Sequence, residues 1–270
     1  MKVIDTHSHF NLEQFDADRD AAIVRMVEAG VGTICIGIDM ETSQKAVEIA
    51  EIHKDIWAIV GIHPTHWEVE YDHDALKLLA QKPYVVGIGE CGLDYYREVD
   101  RRAKTEQKRL FQAQIDLARE LDVPLMLHIR PEEPALPDGS RGRGNMDAYE
   151  EALHMLHDAR ALWPTIRGTA HFFAGTKEIA HQFINLGFHI SFSGVITIFP
   201  EYADVVASVP IDRILPETDA PFAAPLPYRG TRNEPAYVVE VVKKIAEIKG
   251  VSIEDTEVQL LKNTKHLFGI

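Results

Sequence analysis

Two histidines one residue apart, His7 and His9, end a short run of β-branched and apolar residues that begins at Val3. Because successive side chains of a strand point to opposite faces, His7 and His9 would share one face, together with Asp5. Two neighbouring imidazoles at the end of a strand can supply half of the ligands of a metal ion. A chance pair of surface or packed histidines would look the same, so the rest of the chain must decide.

Metal-capable side chains also follow other short apolar runs that are typical of strands. They are His63, Glu90, His128, His171 and Asp219. One such residue could follow a strand by chance, but it is much less probable that several would. The pattern therefore predicts one metal site, provided that the fold brings these strand ends together.

The carboxylate of Glu90 is the natural bridge of such a site. Two divalent ions about 3.5–4 Å apart need imidazoles on the outside and a carboxylate that binds both ions. Gly87, Gly89 and Gly92 would leave room around Glu90. Glu90 is therefore predicted to bind both ions.

The other candidates divide between the two ions. His7, His9 and Asp219 would complete the ligands of one ion, and His128 and His171 those of the other. Imidazole and carboxylate ligands suit Zn²⁺, Mn²⁺ or Fe²⁺, and a more oxygen-rich set favours Mg²⁺. The residue types thus predict two divalent ions per chain and leave their identity open.

The elements that would position these residues alternate, strand then helix, eight times. The strands are predicted near residues 2–8, 32–38, 56–62, 84–89, 124–128, 167–171, 188–191 and 212–216. The helices are predicted near residues 18–29, 42–53, 72–80, 101–121, 147–160, 176–185, 201–208 and 234–248, with a last one near 253–266. Strands that are apolar on both faces suit a parallel sheet covered by helices. The pattern predicts an α/β protein, a (β/α)8 TIM barrel, whose active site would lie at the C-terminal ends of the strands.

Composition fits one such barrel, and we expect a single domain over residues 1–270. No apolar run approaches the roughly 20 residues needed to cross a bilayer, and the first residues show no secretory signal. Cys35 and Cys91 are too few for a disulfide framework. We therefore expect a cytoplasmic protein with no membrane association and no obligate protein partner. The net charge of −14 argues against binding a long polyanion along a basic stripe.

Residues 131–145, which read PEEPALPDGSRGRGN, are dense in proline, glycine and charge and show no periodicity. They predict a loop insertion of unusual length. The loop would follow the fifth strand and so begin beside the metal site. We expect it to contribute to substrate choice rather than to metal binding.

Taken together, the motifs resemble those of the TatD family of metal-dependent hydrolases, within the wider amidohydrolase-like barrels. The matching segments follow the family's order along the whole chain. They are Ile4-Asp-Thr-His-Ser-His9, Gly61-Ile-His-Pro64, Gly87-Ile-Gly-Glu-Cys-Gly-Leu-Asp-Tyr-Tyr96, Pro124-Leu-Met-Leu-His-Ile-Arg130, Thr169-Ala-His-Phe-Phe-Ala-Gly175, Glu217-Thr-Asp-Ala-Pro-Phe222 and Arg229-Gly-Thr-Arg-Asn-Glu-Pro235.

The resemblance implies a binuclear site and a metal-dependent deoxyribonuclease activity, often exonucleolytic, on short or single-stranded DNA ends. The implied ligands are those named above: His7, His9, Glu90, His128, His171 and Asp219. Asp219 is expected to take the proton of the attacking water, and Glu90 is the second catalytic candidate. The chain departs from the family at Ile129, at Phe172, where a cysteine is usual, and in the insertion at about 131–145.

Three residues are candidates for binding substrate. Arg130 shares the face of His128, and its planar guanidinium suits a phosphate, although an ion pair with a loop carboxylate is an alternative. His63 could contact substrate, support a ligand or serve only the fold. Arg229 precedes the eighth helix, for which Asn233 is the predicted cap.

Two other functions remain open on sequence alone. An amidohydrolase or lactonase acting on a small molecule could use the same metal site, with the 131–145 loop as a lid. A non-enzymatic metal-binding or scaffold protein is the third possibility, and the complete ligand set argues against it.

Overall fold

The computed structural model of the protein describes residues 1–96, 100–132 and 146–270. These residues form eight strands in one parallel sheet, paired in chain order from the first to the eighth. The strands are β1 Val3–Ser8, β2 Val31–Ile36, β3 Ile56–Val60, β4 Val85–Asp94, β5 Leu125–Arg130, β6 Gly168–Ala170, β7 Phe188–Phe192 and β8 Ile214–Pro216. All eight predicted strands are present, and most differ from the prediction by only one or two residues at either end.

Helices connect the strands and cover the sheet. They are α1 Arg19–Glu28, α2 Met40–Ile52, α3 His73–Ala80, α4 Arg101–Leu121, α5 Asp147–Leu162, α6 Lys177–Asn185, α7 Ala203–Ser208, α8 Val238–Lys249 and α9 Ile253–Phe268. The apolar positions of α4 and α8 that repeat with helical spacing face the core, among them Leu110, Leu117, Val241 and Ile245. Among the described helices, no segment has the length and apolar character needed to span a membrane.

The sheet closes on itself through the segment that follows β8. Ser8 pairs with Ala220 in a parallel bridge, and the amide of Asp219 donates to the carbonyl of His7 over 2.9 Å. The buried carboxylate of Asp5 strengthens this junction, because it accepts from the amide of Thr218 at 2.8 Å and from the same residue's hydroxyl at 2.6 Å. The predicted (β/α)8 TIM barrel is confirmed.

An apolar cluster connects the inside of the barrel to α9, whose Asn263 side chain donates to the carbonyls of Ile211 and Ile214, where β8 begins. The cluster joins side chains from several strands to the last helix: Ile4, Ile34, Ile36, Ile59, Val86, Met126, Leu215, Leu267 and Phe268. α9 therefore closes the N-terminal end of the barrel. The chemistry is left to the opposite end, as is general for this architecture.

The two glycines beside Glu90 allow β4 and β5 to lie unusually close together. Gly89 and Gly92 have φ angles of +152° and +139°, which favour glycine. A Cβ atom at Gly92 would lie 2.1 Å from the carbonyl oxygen of His128, and one at Gly89 would lie 2.5 Å from that of Met126. The glycines thus make room for the backbone of β5 and fix the position from which Glu90 projects.

The predicted insertion at 131–145 lies almost wholly outside the described residues. Pro131 and Glu132 are described, and Pro131 lines the cleft above the strand ends.

Replacing Gly92 by alanine should destabilise the protein strongly. We expect Gly92→Ala to lose at least about 3 kcal/mol of unfolding free energy, since strain and a backbone contact act together. Gly230→Ala is the matched control, because Gly230 also has a positive φ, +90°, and an added Cβ there meets nothing within 4 Å. That control should lose only about 1–2 kcal/mol. Urea unfolding followed by circular dichroism measures both, and equal losses would contradict the close-approach explanation.

Candidate metal centre

Four donor atoms from β1, β4 and the segment after β8 form a compact group. His7 Nε2 lies 3.2 Å from His9 Nε2, 3.4 Å from Glu90 Oε2 and 3.7 Å from Asp219 Oδ1. His9 Nε2 lies 3.7 Å from Glu90 Oε2 and 3.5 Å from Asp219 Oδ1. All four residues that were predicted around the first ion are therefore brought together.

These separations match the demands of a divalent ion. Zinc bonds to nitrogen and oxygen are about 2.0–2.2 Å long, so neighbouring ligands of a tetrahedral ion are roughly 3.3–3.6 Å apart. The two imidazole nitrogens also point at each other, where a cation would satisfy both lone pairs. The geometry and the chemistry of the donors both fit a metal ion held by His7, His9, Glu90 and Asp219.

The second oxygen of Glu90 faces a different set of donors. Glu90 Oε1 lies 2.7 Å from His128 Nδ1, 3.2 Å from His171 Nε2 and 3.6 Å from His63 Nε2. Each carboxylate oxygen of Glu90 thus belongs to its own group of imidazoles. A carboxylate that bridges two ions needs this arrangement.

His63 is part of this second group, whereas the sequence left open whether it contacts substrate, supports a ligand or serves only the fold. Its Nδ1 atom pairs with the Thr65 hydroxyl at 2.7 Å, which turns Nε2 towards Glu90. Glu90, His63 and His128 could together hold an ion. The structure therefore adds His63 to the candidate ligands.

Two carboxylates that the sequence reasoning missed orient the imidazoles of the second group. Glu217 Oε1 lies 3.1 Å from His171 Nδ1, and Asp94 Oδ2 lies 2.9 Å from His128 Nε2. A carboxylate behind a metal-binding histidine fixes the orientation and tautomer of the ring. A signal was available, because Glu217 precedes Asp219 by two residues and Asp94 ends the strand that carries Glu90.

The carboxylate of Glu217 is itself fixed by burial and by hydrogen bonds. It is fully buried, accepts from the amide of Phe172 at 2.7 Å, and also accepts from the hydroxyl of Ser191. Three elements therefore meet at this carboxylate: β7, the end of β6 and the end of β8.

The charges within the cluster compensate one another. Burial alone would raise the pKa of Glu90, but His171, His7 and the other imidazoles hold it well below its usual range. Burial and the neighbouring His171 lower the pKa of His7. For His128, burial is outweighed by the hydrogen bonds to Asp94 and Glu90, which raise its pKa to about 9. The imidazoles thus favour the charged form of Glu90, although this residue is only 3% exposed.

The residues after β6 and β8 reach the centre through unusual backbone angles. Asp219 and Phe172 have φ angles of +58° and +46°, although neither is a glycine. Such angles cost energy and persist where surrounding contacts fix them. Here the contacts are the hydrogen bond of the Asp219 amide to β1 and that of the Phe172 amide to Glu217.

The two predicted substrate-binding arginines lie at different distances from the centre. Arg130 lines the cleft over the metal centre, and its guanidinium lies 3.5 Å from the centre of the Tyr96 ring. Arg229 is exposed further out, with its guanidinium 5.9 Å from the centre of the Phe199 ring.

The predicted helix cap at Asn233 is wrong. α8 begins at Val238, after a short 3₁₀ turn at Pro235–Tyr237. The Asn233 side chain is instead buried and donates to the carbonyls of Thr218, at 2.9 Å, and Phe222, at 2.6 Å. It therefore fixes the loop that carries Asp219.

The cleft above the centre has a volume of about 930 Å³. Its floor includes His9, Glu90, His128, His171 and Asp219. Its walls come largely from the segments that follow the strands, which is the usual place of an active site in such a barrel.

The fold and this centre define a metal-dependent hydrolase, and comparisons with known proteins agree. The model of the family of TatD-related DNases matches residues 4–269, and the chain belongs to this family. It is 36% identical to the uncharacterized metal-dependent hydrolase YabD of Bacillus subtilis, over 99% of both chains. It is 32% identical to the 3′-5′ ssDNA/RNA exonuclease TatD of Citrobacter koseri, over 95% of both chains. The crystal structure of the TatD homologue YjjV from Escherichia coli K12 superposes with a TM-score of 0.86 at 28% identity, covering 100% of this chain and 98% of that one.

Removing the charge of Glu217 should weaken metal binding without unfolding the protein. In Glu217→Gln the size of the side chain is kept, but the carboxylate behind His171 is lost. We expect metal affinity to fall by about 10–100-fold. Titration against a chromophoric chelator measures it, and Glu247→Gln is the control because the Glu247 side chain is 69% exposed. Equal affinities in the two variants would show that Glu217 does not support the ligand.

Proposed function

We propose that this chain is a metal-dependent nuclease that removes nucleotides from single-stranded ends of DNA. The observation that carries the proposal is the placement of Glu90, whose two oxygens face two separate groups of donors at the floor of an open cleft. Such a pair of sites suits the hydrolysis of a phosphodiester. The similarity to relatives that are named exonucleases supports the same activity.

In this proposal the six predicted ligands hold two divalent ions, with His63 as a further donor. His7, His9 and Asp219 would hold the first ion, His128 and His171 would hold the second, and Glu90 would supply one oxygen to each. Two such ions, when bound, supply Lewis acidity to the phosphoryl oxygens and to an attacking water.

The chain's own groups would divide the remaining work. Asp219 would accept the proton of the attacking water from its place at the floor of the cleft. The hydrogen bond to His9 and the neighbouring imidazoles outweigh burial and keep its pKa below the usual value, so the carboxylate carries no proton of its own at neutral pH. Arg130 would hold a non-bridging phosphate oxygen from the wall of the cleft. Glu217 and Asp94 would keep the two imidazoles in place.

The size and charge of the protein favour a strand end over a duplex. A cleft of about 930 Å³ lies within the range of sites for small ligands, so it suits a few nucleotides at most. With a net charge of −14, the rest of the surface repels a long polyanion. We also propose a cytoplasmic location, which the free thiols of Cys35 and Cys91 support.

Changing Glu90 to glutamine should lower the metal content. A glutamine side chain offers only one oxygen, because its amide nitrogen does not bind metal ions. In Glu90→Gln the side chain can therefore contribute to at most one of the two groups of donors. We expect elemental analysis after dialysis to find less than half of the wild-type metal. Glu247→Gln is again the control, and undiminished metal in Glu90→Gln would remove the bridge from the proposal.

The activity itself is tested on single-stranded oligonucleotides labelled at the 3′ or the 5′ end, with Mg²⁺, Mn²⁺ or Zn²⁺. We expect stepwise shortening from one end. Asp219→Asn should lower kcat by about 100-fold or more with a smaller effect on KM, since proton transfer matters on the way to the transition state. This variant also controls for contaminating nucleases.

Turnover of a lactone or amide without any turnover of oligonucleotides would favour the small-molecule hydrolase instead. A KM effect alone in Asp219→Asn would contradict its role as proton acceptor.

A further inference from the structure

Three phenylalanines line one side of the cleft above the metal centre. Phe172, Phe199 and Phe222 all line it, and Phe199 and Phe222 are 41% and 48% exposed. Large exposed apolar side chains that gather around one cleft need an explanation, whereas single ones do not. Each of the three follows a different strand, β6, β7 or β8.

Two of the rings border the candidate ligands directly. The Phe222 ring lies edge-on to His9, with 6.2 Å between ring centres. The Phe172 ring lies in the same manner beside His171 at 5.9 Å. One aromatic ring therefore stands beside each of the two donor groups, where the bases next to a reacting phosphodiester would pass.

The backbone holds the two rings in place without using them in the core. The amide of Phe222 donates to the carbonyl of Asp219 at 2.8 Å, and the buried Asn233 side chain donates to the carbonyl of Phe222. The amide of Phe172 is bound by Glu217. A ring that is fixed at its root and open at its face is pre-organised for stacking.

Arginine and glutamate set the charge at the outer wall. Arg229 lies over the Phe199 ring, and Glu201 lines the cleft two residues further on. A phosphate would be attracted to Arg229 and repelled by Glu201, so a strand would leave the cleft on the Arg229 side.

We propose that Phe172, Phe199 and Phe222 form a stacking subsite for the nucleobases at the reacting end of a single strand. This inference rests on the proposed nuclease activity. It adds what the enzyme recognises, which is the flat face of a nucleobase, whichever of the four bases it is. Stacking of bases on aromatic side chains has this tolerance, because every base has a π face.

The test compares oligonucleotides that differ only in one base. One substrate is intact, and two others carry an abasic tetrahydrofuran residue at the terminal or the penultimate position of the end that is cleaved. We expect the wild-type enzyme to prefer the intact strand by about 5- to 100-fold in kcat/KM at one of these positions or at both. In Phe222→Ala and Phe172→Ala this ratio should fall towards one, and Phe222→Trp should keep it.

Tyr84→Ala is the matched control, since Tyr84 is 40% exposed but lies just before β4, at the opposite end of the barrel. It should retain the wild-type ratio. A wild-type ratio near one at both positions would overturn the subsite while leaving the nuclease activity intact. An equal loss on intact and abasic strands in both alanine variants would assign the rings a structural role and also overturn it. Failure of the wild-type enzyme to cleave any of the strands would overturn the nuclease proposal itself.

Discussion

The structure depends on one buried group in particular, the carboxylate of Glu90. An ionised group with so little exposure would lose most of its hydration, and only close partners of opposite or polarisable character can compensate for this. Here the partners are imidazoles from β1 and β5 and from the segments that follow β3 and β6, and they converge on Glu90 from around the barrel. The strands must therefore stay in register for the carboxylate to remain compensated.

The same constraint explains the local backbone around the centre. Close packing of β4 on β5 brings Glu90 within 2.7 Å of His128, and glycines permit that approach. On the far side, Asp219 reaches His9 only because its backbone adopts a left-handed conformation that the bond to β1 secures. These strained backbone angles occur after the C-terminal ends of the strands, beside the metal centre. None occurs at a residue of the apolar cluster that contacts α9.

Sequence alone predicted the barrel and the residues that gather at its C-terminal face, because both follow from periodicity and from the position of a residue at the end of a strand. It did not assign Glu217 and Asp94 to the histidines, since that pairing depends on how each ring is turned, which periodicity does not encode. Asn233 was misjudged for a related reason. Asparagine before a proline is typical of a helix start, but tertiary contacts with the loop after β8 took the side chain instead. The activity came from the resemblance to a family, and the residues themselves indicated only metal-assisted hydrolysis.

The junction between β1 and the segment after β8 determines when, during synthesis of the chain, the metal centre can form. Three donors of the first group lie at this junction, with His7 and His9 at the end of the first strand and Asp219 beyond the last strand. A chain that is still emerging from the ribosome therefore lacks a complete set of donors until nearly all of the barrel has been synthesised. Binding of a cation there would stabilise the closed barrel only at a late stage of folding. A partly synthesised or truncated barrel would lack a complete set of ligands and so could not cleave nucleic acid.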